Sequence, residues 1–488
     1  MRKLTLFLVF IVCTFAAKAQ TPTYVQTPLI TNLAYPVAFT FTPDGRILVT
    51  HKGGTISIYS STGTSLGTFY NMSDSTYNLG ERGLLGIEVD PDFASNNYVY
   101  VYYNHRCCVS TTQTGPQFIR IVRFTESGNV GTNPTIIMEE AVGNIPGFHV
   151  GGNLRFRSSD PNHIYVTIGD IGTQNNAQQL TNPYGKVLRI HKNGSIPASN
   201  PFYDDGDPAT GNDDRIWDYG HRNHFDLCAS PVNDSLYYSE NGTSPNNNGA
   251  DEVGMVTRGA NHGWPSCEAF DNYNSSTPCS NAAFQLPLDD LPPFNNTMPA
   301  VTGVLFYSGS GFTALTNHLL VADANFGRIS DLTLGNPPYY DTVLSNVVWD
   351  DFTNSGLTTL KEGTDGCIYA LEAPWTTNMD LHRICPTPQA IIETEQGFSL
   401  HNPAPNPANE NFSLRWSMKK EARVSAEIFD LAGKKIASVL NETRAKGEHV
   451  LELSRSALGL SEGAYFIRLT FSDGAQQYVR TKKIVLLR

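Results

Sequence analysis

Phe41-Thr42-Pro43-Asp44-Gly45-Arg46-Ile47-Leu48-Val49 is an apolar strand end, an Asp-Gly turn and a β-branched strand in nine residues. Its glycine supplies the turn conformation that other residues resist, and the apolar runs on either side belong to a hairpin. The theme returns in Phe156-Arg157-Ser158-Ser159-Asp160-Pro161-Asn162-His163-Ile164-Tyr165-Val166 and in Gly363-Thr364-Asp365-Gly366-Cys367-Ile368-Tyr369. Each is read as the hairpin of one sheet. Four strands of about six residues with generous loops need roughly 60 residues. Residues 21–388 therefore suit six such sheets. The expected fold is all-β: a six-bladed β-propeller over 21–388, then a small C-terminal β-sandwich. Two successive sandwich domains are the alternative, but the chain lacks the second linker they need.

Composition agrees. The 488 residues include 41 Gly, 29 Pro, 22 Tyr and 25 Phe, with few long amphipathic stretches, which excludes helical bundles and coiled coils. Lys and Arg total 34 against 46 Asp and Glu, a net charge of −12, the wrong sign for a nucleic-acid partner.

Arg2 and Lys3 precede an apolar run from Leu4 to Ala17, and Ala17-Lys18-Ala19 offers small residues at cleavage-type positions. Residues 1–19 are read as a secretory signal peptide. The run is shorter than the roughly 20 apolar residues a membrane span requires, so no transmembrane segment is expected in the mature chain. Seven cysteines follow the leader, an odd count in an oxidising compartment. Cys267 with Cys279 and Cys367 with Cys385 are the expected disulfides, although spacing does not fix connectivity. No CxxC pair or histidine spacing marks a zinc site.

Pro386, Pro388 and then Pro403-Ala404-Pro405-Asn406-Pro407 break the strand pattern, which places a linker at 389–397. Beyond it, Ile428-Phe429-Asp430, Ala432-Gly433-Lys434, Gly463-Ala464-Tyr465-Phe466 and Lys482-Lys483-Ile484-Val485 are strand and turn pieces of a small sandwich. With the Pro-x-Pro-x-Asn-Pro opening, residues 398–488 resemble the C-terminal sorting domain of the type IX secretion system. That resemblance implies the type IX machinery as a partner. It also implies passage through the periplasm to the medium or the outer cell surface.

Four polar, Gly-rich segments interrupt the strands, where a propeller gathers its ligand-binding loops. They are Glu81-Arg82-Gly83-Leu84-Leu85-Gly86; His149-Val150-Gly151-Gly152-Asn153, with Gly169-Asp170, Gln178 and Gly185-Lys186-Val187-Leu188-Arg189-Ile190; Gly220-His221-Arg222-Asn223; and Ser239-Glu240-Asn241-Gly242, leading to Asp251-Glu252 and Asn261-His262-Gly263-Trp264-Pro265. Histidine is the side chain suited to proton abstraction near neutral pH, and a carboxylate partner fixes its tautomer.

In this order the segments resemble the glucose/sorbosone dehydrogenase family. Its soluble six-bladed propellers oxidise the anomeric carbon of aldose sugars with pyrroloquinoline quinone (PQQ) and calcium, passing electrons to an external acceptor. The resemblance implies His149 as the base, Asp170 as its partner and Arg222 beside the quinone. Glu81, Gln178, Asn223 and Asn241 fall at cofactor-side positions, and the carbonyls of Gly242 and Thr243 at the calcium. Asn325 stands where a cofactor-binding lysine is expected, with Arg328 the substitute cation nearby, and Lys361 is the nearest cation where arginines are expected. A non-catalytic surface propeller that binds glycan or protein is the second reading.

Overall fold

A computed structural model describes residues 24–106, 117–142, 147–243, 249–272, 278–352, 355–373, 378–387, 398–430, 434–472 and 477–487. The signal peptide, Cys107, Cys108 and the 389–397 linker lie outside the described residues. The chain divides into two compact units, Met1–Thr387 and Pro388–Arg488.

The first unit contains six four-stranded antiparallel sheets. Their first strands are Pro36–Phe41, Leu84–Val89, Leu154–Arg157, His224–Ala229, Val301–Tyr307 and Leu357–Glu362. Each first strand touches the first strands of the two neighbouring sheets, so the six close into a ring. Burial falls from the first strand outward. Val301–Tyr307 is buried at every position, whereas the fourth strand of the same sheet, Thr342–Asp351, is mostly exposed. A strand covered on both faces reads as a continuous apolar run, and an outer one does not.

A separate apolar cluster fills each of the six gaps between neighbouring sheets. Leu48 and Ile58 meet Leu84 and Val101 in one gap, and Tyr102 and Ile121 meet Leu154 and Val166 in the next. The last sheet takes its outer strand from the start of the described chain: Tyr24–Leu33 pairs antiparallel with Met379–Pro386, Val25 opposite Cys385. Cys367 and Cys385 are disulfide-bonded in that sheet, and Cys267 pairs with Cys279, as expected. The helical pieces include the single turn Phe93–Asn96 and the 3-10 turns Gln174–Gln178 and Thr313–Leu315. No helix among the described residues is long and apolar enough to cross a membrane.

On the ring axis a polar hub ties all six sheets together. Arg155 donates to Glu88 at 3.0 Å and to Asp226 at 2.8 Å, and Lys361 donates to Glu88 at 2.9 Å. Thr40 also donates to Glu88, and the backbone N–H of Val304 to Asp226. Burial opposes ionisation of Glu88, yet Lys361 and Arg155 hold its carboxyl below the usual range. Burial pushes the Asp226 carboxyl up despite Arg155. Lys361 is therefore consumed by the hub and does not supply the cation expected near a cofactor.

The second unit has a three-stranded sheet of Phe398–Leu400, Asn411–Met418 and Gly447–Ser454, and a four-stranded sheet of Ala422–Phe429, Lys435–Arg444, Gly463–Ser472 and Gln477–Leu486. They share one core that includes Trp416, Leu414, Ile428, Ile467 and Phe471.

Removing one member of a buried ion cluster strands its partner in a low dielectric, whereas an exposed pair is worth little. Arg155→Met should cost about 3–5 kcal/mol in chemical denaturation. Lys435→Met, which removes the exposed pair to Glu427, should cost no more than about 1 kcal/mol. Equal losses for the two variants would contradict the hub.

Candidate active site

The N-terminal ends of the six first strands surround a cavity of about 180 Å³, lined among others by Ala38, Glu81, Gly152, Asn223, Asn241 and Thr359. Its floor includes Asn153, whose amide also bonds to Arg155 and Asp226 of the hub.

His149 precedes the Gly151-Gly152 pair that lines this cavity. Its φ is +56°, in the left-handed region that non-glycine residues seldom occupy. Three contacts hold it there. Its backbone N–H donates to Glu81 Oε2 at 2.6 Å, and its carbonyl accepts from Ile171 at 3.1 Å. Gly169 allows the third, because a Cβ there would lie 2.4 Å from the His149 carbonyl oxygen.

His149 Nδ1 lies 2.7 Å from Asp170 Oδ1, with the Asp170 side chain fully buried and that of His149 14% exposed. Both oxygens of Asp170 are occupied: Oδ1 also accepts from Gly172 N–H at 2.8 Å, and Oδ2 from the indole N–H of Trp264 at 2.9 Å. An ionised carboxylate only accepts, so Nδ1 carries the proton and Nε2 keeps its lone pair. Phe148 packs edge-on against the His149 ring at 5.1 Å and is itself exposed.

Arg222 joins the same assembly from the next sheet. Its carbonyl accepts from Asp170 N–H at 2.7 Å, its guanidinium lies 5.7 Å from the centre of the Trp264 ring, and Nη1 donates to the Asn241 carbonyl at 2.8 Å. Glu240 braces it by accepting from the Arg222 backbone N–H. Asn223 Oδ1 accepts from Gly151 N–H at 3.2 Å, and Asn241 Nδ2 donates to the Val301 carbonyl at 2.7 Å. His149, Asp170, Arg222, Glu81, Asn223 and Asn241 are thus brought together.

Three of the expected cofactor contacts are not. Gln178 exchanges hydrogen bonds with Asn261 and donates to the Trp264 carbonyl at 2.7 Å, which makes it a brace of the tryptophan loop. Asn325 is tied to the Met298 carbonyl at 2.9 Å. Arg328 packs over Phe294 and Phe326 and faces Asp351 at 3.7 Å. None of the three lines the cavity. An arginine beside two aromatic rings is drawn to their faces, which sequence spacing does not reveal. Trp264 is the residue the sequence reading left without a role, although it stands in the Asn-x-Gly-Trp-Pro motif.

At the expected calcium position, Gly242 N–H donates to Asp251 at 2.8 Å, and Thr243 donates its N–H and hydroxyl to Glu268. Burial pushes the Asp251 carboxyl up to about 6 and raises that of Glu268 as well. A trans peptide directs the Gly242 carbonyl away from the Thr243 N–H and so away from Glu268. The segment 244–248 that follows lies outside the described residues.

The family described as Glucose / Sorbosone dehydrogenase matches residues 33–379. The chain belongs to the glucose/sorbosone dehydrogenase family. A second match, to the secretion system C-terminal sorting domain, covers residues 404–486. Relatives of this dehydrogenase-family chain include the aldose sugar dehydrogenase YliI of Escherichia coli, 24% identical over 76% of this chain and 96% of that protein. Quinoprotein glucose dehydrogenase B of Acinetobacter calcoaceticus is 29% identical over 52% of this chain and 55% of its own length. The same fold is found in the PQQ-bound aldose sugar dehydrogenase of Streptomyces coelicolor, with TM-score 0.57, 21% identity and coverage of 74% of this chain and 99% of that one. The soluble aldose sugar dehydrogenase of Escherichia coli in its apo form gives TM-score 0.63 and 22% identity, covering 75% of this chain and 100% of that one.

An asparagine at 170 cannot accept on both sides, so one buried donor is left facing another. Asp170→Asn should lower stability by about 1–3 kcal/mol and admit the Nε2–H tautomer of His149 in ¹⁵N NMR. Wild-type stability with the Nδ1–H tautomer alone would contradict the geometry.

Proposed function

We propose that the six sheets are the blades of a six-bladed propeller and that this propeller is a secreted, PQQ- and calcium-dependent aldose dehydrogenase. One observation carries the reading: His149, Asp170, Trp264 and Arg222 form one connected assembly beside the axial cavity, joined to its lining through Glu81, Gly151 and Asn223, with the free lone pair of the base on Nε2. The C-terminal unit, read as a β-sandwich, addresses the chain to the type IX machinery.

The residues present fit such a cofactor on the polar side and are sparing on the cationic side. Asn223 and Asn241 offer amides at the cavity wall, Arg222 supplies fixed positive charge beside them, and the Gly242 carbonyl offers an oxygen to a hard cation. Thr243 contributes the neighbouring carbonyl. No lysine or arginine is among the described residues lining the cavity, and Glu81 adds a negative charge. Retention of a tricarboxylate therefore depends on the calcium ion and Arg222 together.

PQQ, when bound, supplies an electrophilic quinone carbon that takes up hydride. His149 Nε2 receives the proton of the C1 hydroxyl as the hydride leaves C1, which gives the lactone. Asp170 holds the imidazole in the required tautomer and stabilises the imidazolium that forms. Arg222 favours the more electron-rich product state by its fixed charge. An external electron acceptor would regenerate the oxidised cofactor.

Purified protein given PQQ and calcium should show a cofactor-dependent thermal shift and reduce a dye with at least one aldose. Chelating calcium should abolish the shift, because too little positive charge remains. His149→Gln should keep the shift and lose about 100- to 10,000-fold in turnover. A wild-type protein with no shift and no dye reduction would contradict the enzyme and leave the non-catalytic surface propeller.

A further inference from the structure

Behind Arg222, in the seam between the third and fourth sheets, three histidines are buried against one another. His221 lies in the turn before His224, the first residue of its strand, and His262 follows the strand Asp251–Val256. All three are nearly or fully inaccessible, as are Asp218 and Glu240. The backbone scaffold is firm: His262 N–H donates to the Tyr219 carbonyl at 2.8 Å, and His224 pairs across the sheet with Glu240.

Each of two imidazoles is held by one nitrogen and offers the other. His221 Nδ1 lies 2.7 Å from Glu240 Oε2, and an ionised carboxylate only accepts, so this nitrogen carries the proton. His262 Nδ1 lies 3.2 Å from the Tyr238 hydroxyl, whose own proton is directed to Glu252. Both Nε2 atoms then face the same carboxylate. Asp218 Oδ1 is 3.4 Å from His221 Nε2, and Asp218 Oδ2 is 3.3 Å from His262 Nε2. These three buried groups are stable together only with a cation among them, a proton on an imidazole or a metal ion.

A shared proton is one such cation, but it draws nitrogen and oxygen to about 2.7–2.9 Å. Among the described residues neither Nε2 makes a hydrogen bond. A separation of 3.3–3.4 Å is instead the edge of a tetrahedron whose ligands lie about 2.0–2.1 Å from a central zinc ion. His224 is fully buried, and neither of its ring nitrogens has a partner among the described residues. Its ring centre is 3.8 Å from that of His221, and its ligand atom lies within 4.8 Å of those of His221 and Glu240.

We infer that Asp218, His221 and His262 form a three-residue structural site for a divalent transition metal of the zinc class, with His224 buried beside it. Glu240 acts as the outer carboxylate that orients His221, an arrangement usual around metal-bound imidazoles. The charges of Asp218 and Glu240 balance a dication. Because Glu240 also accepts from Arg222 N–H, the ion fixes the turn that carries Arg222 and Asn223. The inference stands whether or not the propeller oxidises sugars.

The full chain, produced with zinc and freed of loose metal, should retain about one zinc per chain by elemental analysis. Stripping it with dipicolinate should lower the melting temperature, and zinc but not calcium should restore it. His262→Gln and Asp218→Asn should each lose the bound zinc, and cobalt-loaded wild type should give the intense visible bands of a tetrahedral site. Zinc-free wild type would overturn the site in favour of a buried imidazolium cluster, and so would zinc retained in His262→Gln. The chelation and re-addition experiment on wild type keeps the claim testable if the variants fail to fold.

Discussion

Two cations and two carboxylates at the centre of the ring, Arg155 and Asp226 buried and Lys361 and Glu88 half-buried, set the terms for everything above them. Glu88, Arg155, Asp226 and Lys361 come from the second, third, fourth and sixth sheets, and Thr40 and the Val304 backbone bring in the other two. Isolated charges would be intolerable there. Their mutual neutralisation makes the axis a fixed polar joint. Neighbouring sheets are held by apolar wedges, which specify volume but little direction. The hub adds direction, and through Asn153 it fixes the floor of the cavity.

The His149 assembly adjoins that cavity through Glu81 and Gly151. A left-handed histidine costs of order 1–3 kcal/mol and persists only where its surroundings over-determine it. At His149 the backbone is pinned by Glu81, Ile171 and the bare Cα of Gly169, and the ring by Asp170. Both oxygens of Asp170 are in turn engaged by further donors, Gly172 N–H on one and the Trp264 indole on the other. The His149 imidazole therefore has one tautomer and one orientation, which is what the proposed proton abstraction requires.

Much of this was legible in the residues. The Asp-Gly hairpins announced an all-β chain, and the two disulfides were expected from the short loop that Cys267 and Cys279 bracket and from the strand-like runs that hold Cys367 and Cys385. That His149, Asp170, Arg222 and Asn223 belong to one site was implied by the family resemblance that the motif order carries. Three things were not legible. The fates of Lys361 and Arg328 depend on which partner lies opposite in another sheet, Glu88 in one case and a pair of aromatic rings in the other. Gln178 has the right chemistry for a ligand contact, but Asn261 uses it first. The histidine cluster escapes spacing rules altogether, because Asp218 lies on a strand and His221 and His262 on two separate loops.

The central claim is that a proton leaves the C1 hydroxyl to His149 as hydride leaves C1 for a quinone held in the axial cavity. Its most direct test is anaerobic single-turnover absorbance of the PQQ- and calcium-loaded protein mixed with an aldose carrying either hydrogen or deuterium at C1. The account predicts one equivalent of quinone reduced per chain, and more slowly with deuterium. Quinone that stays oxidised with every aldose, or reduction that is indifferent to the isotope when C–H cleavage is isolated as the slow step, would contradict it.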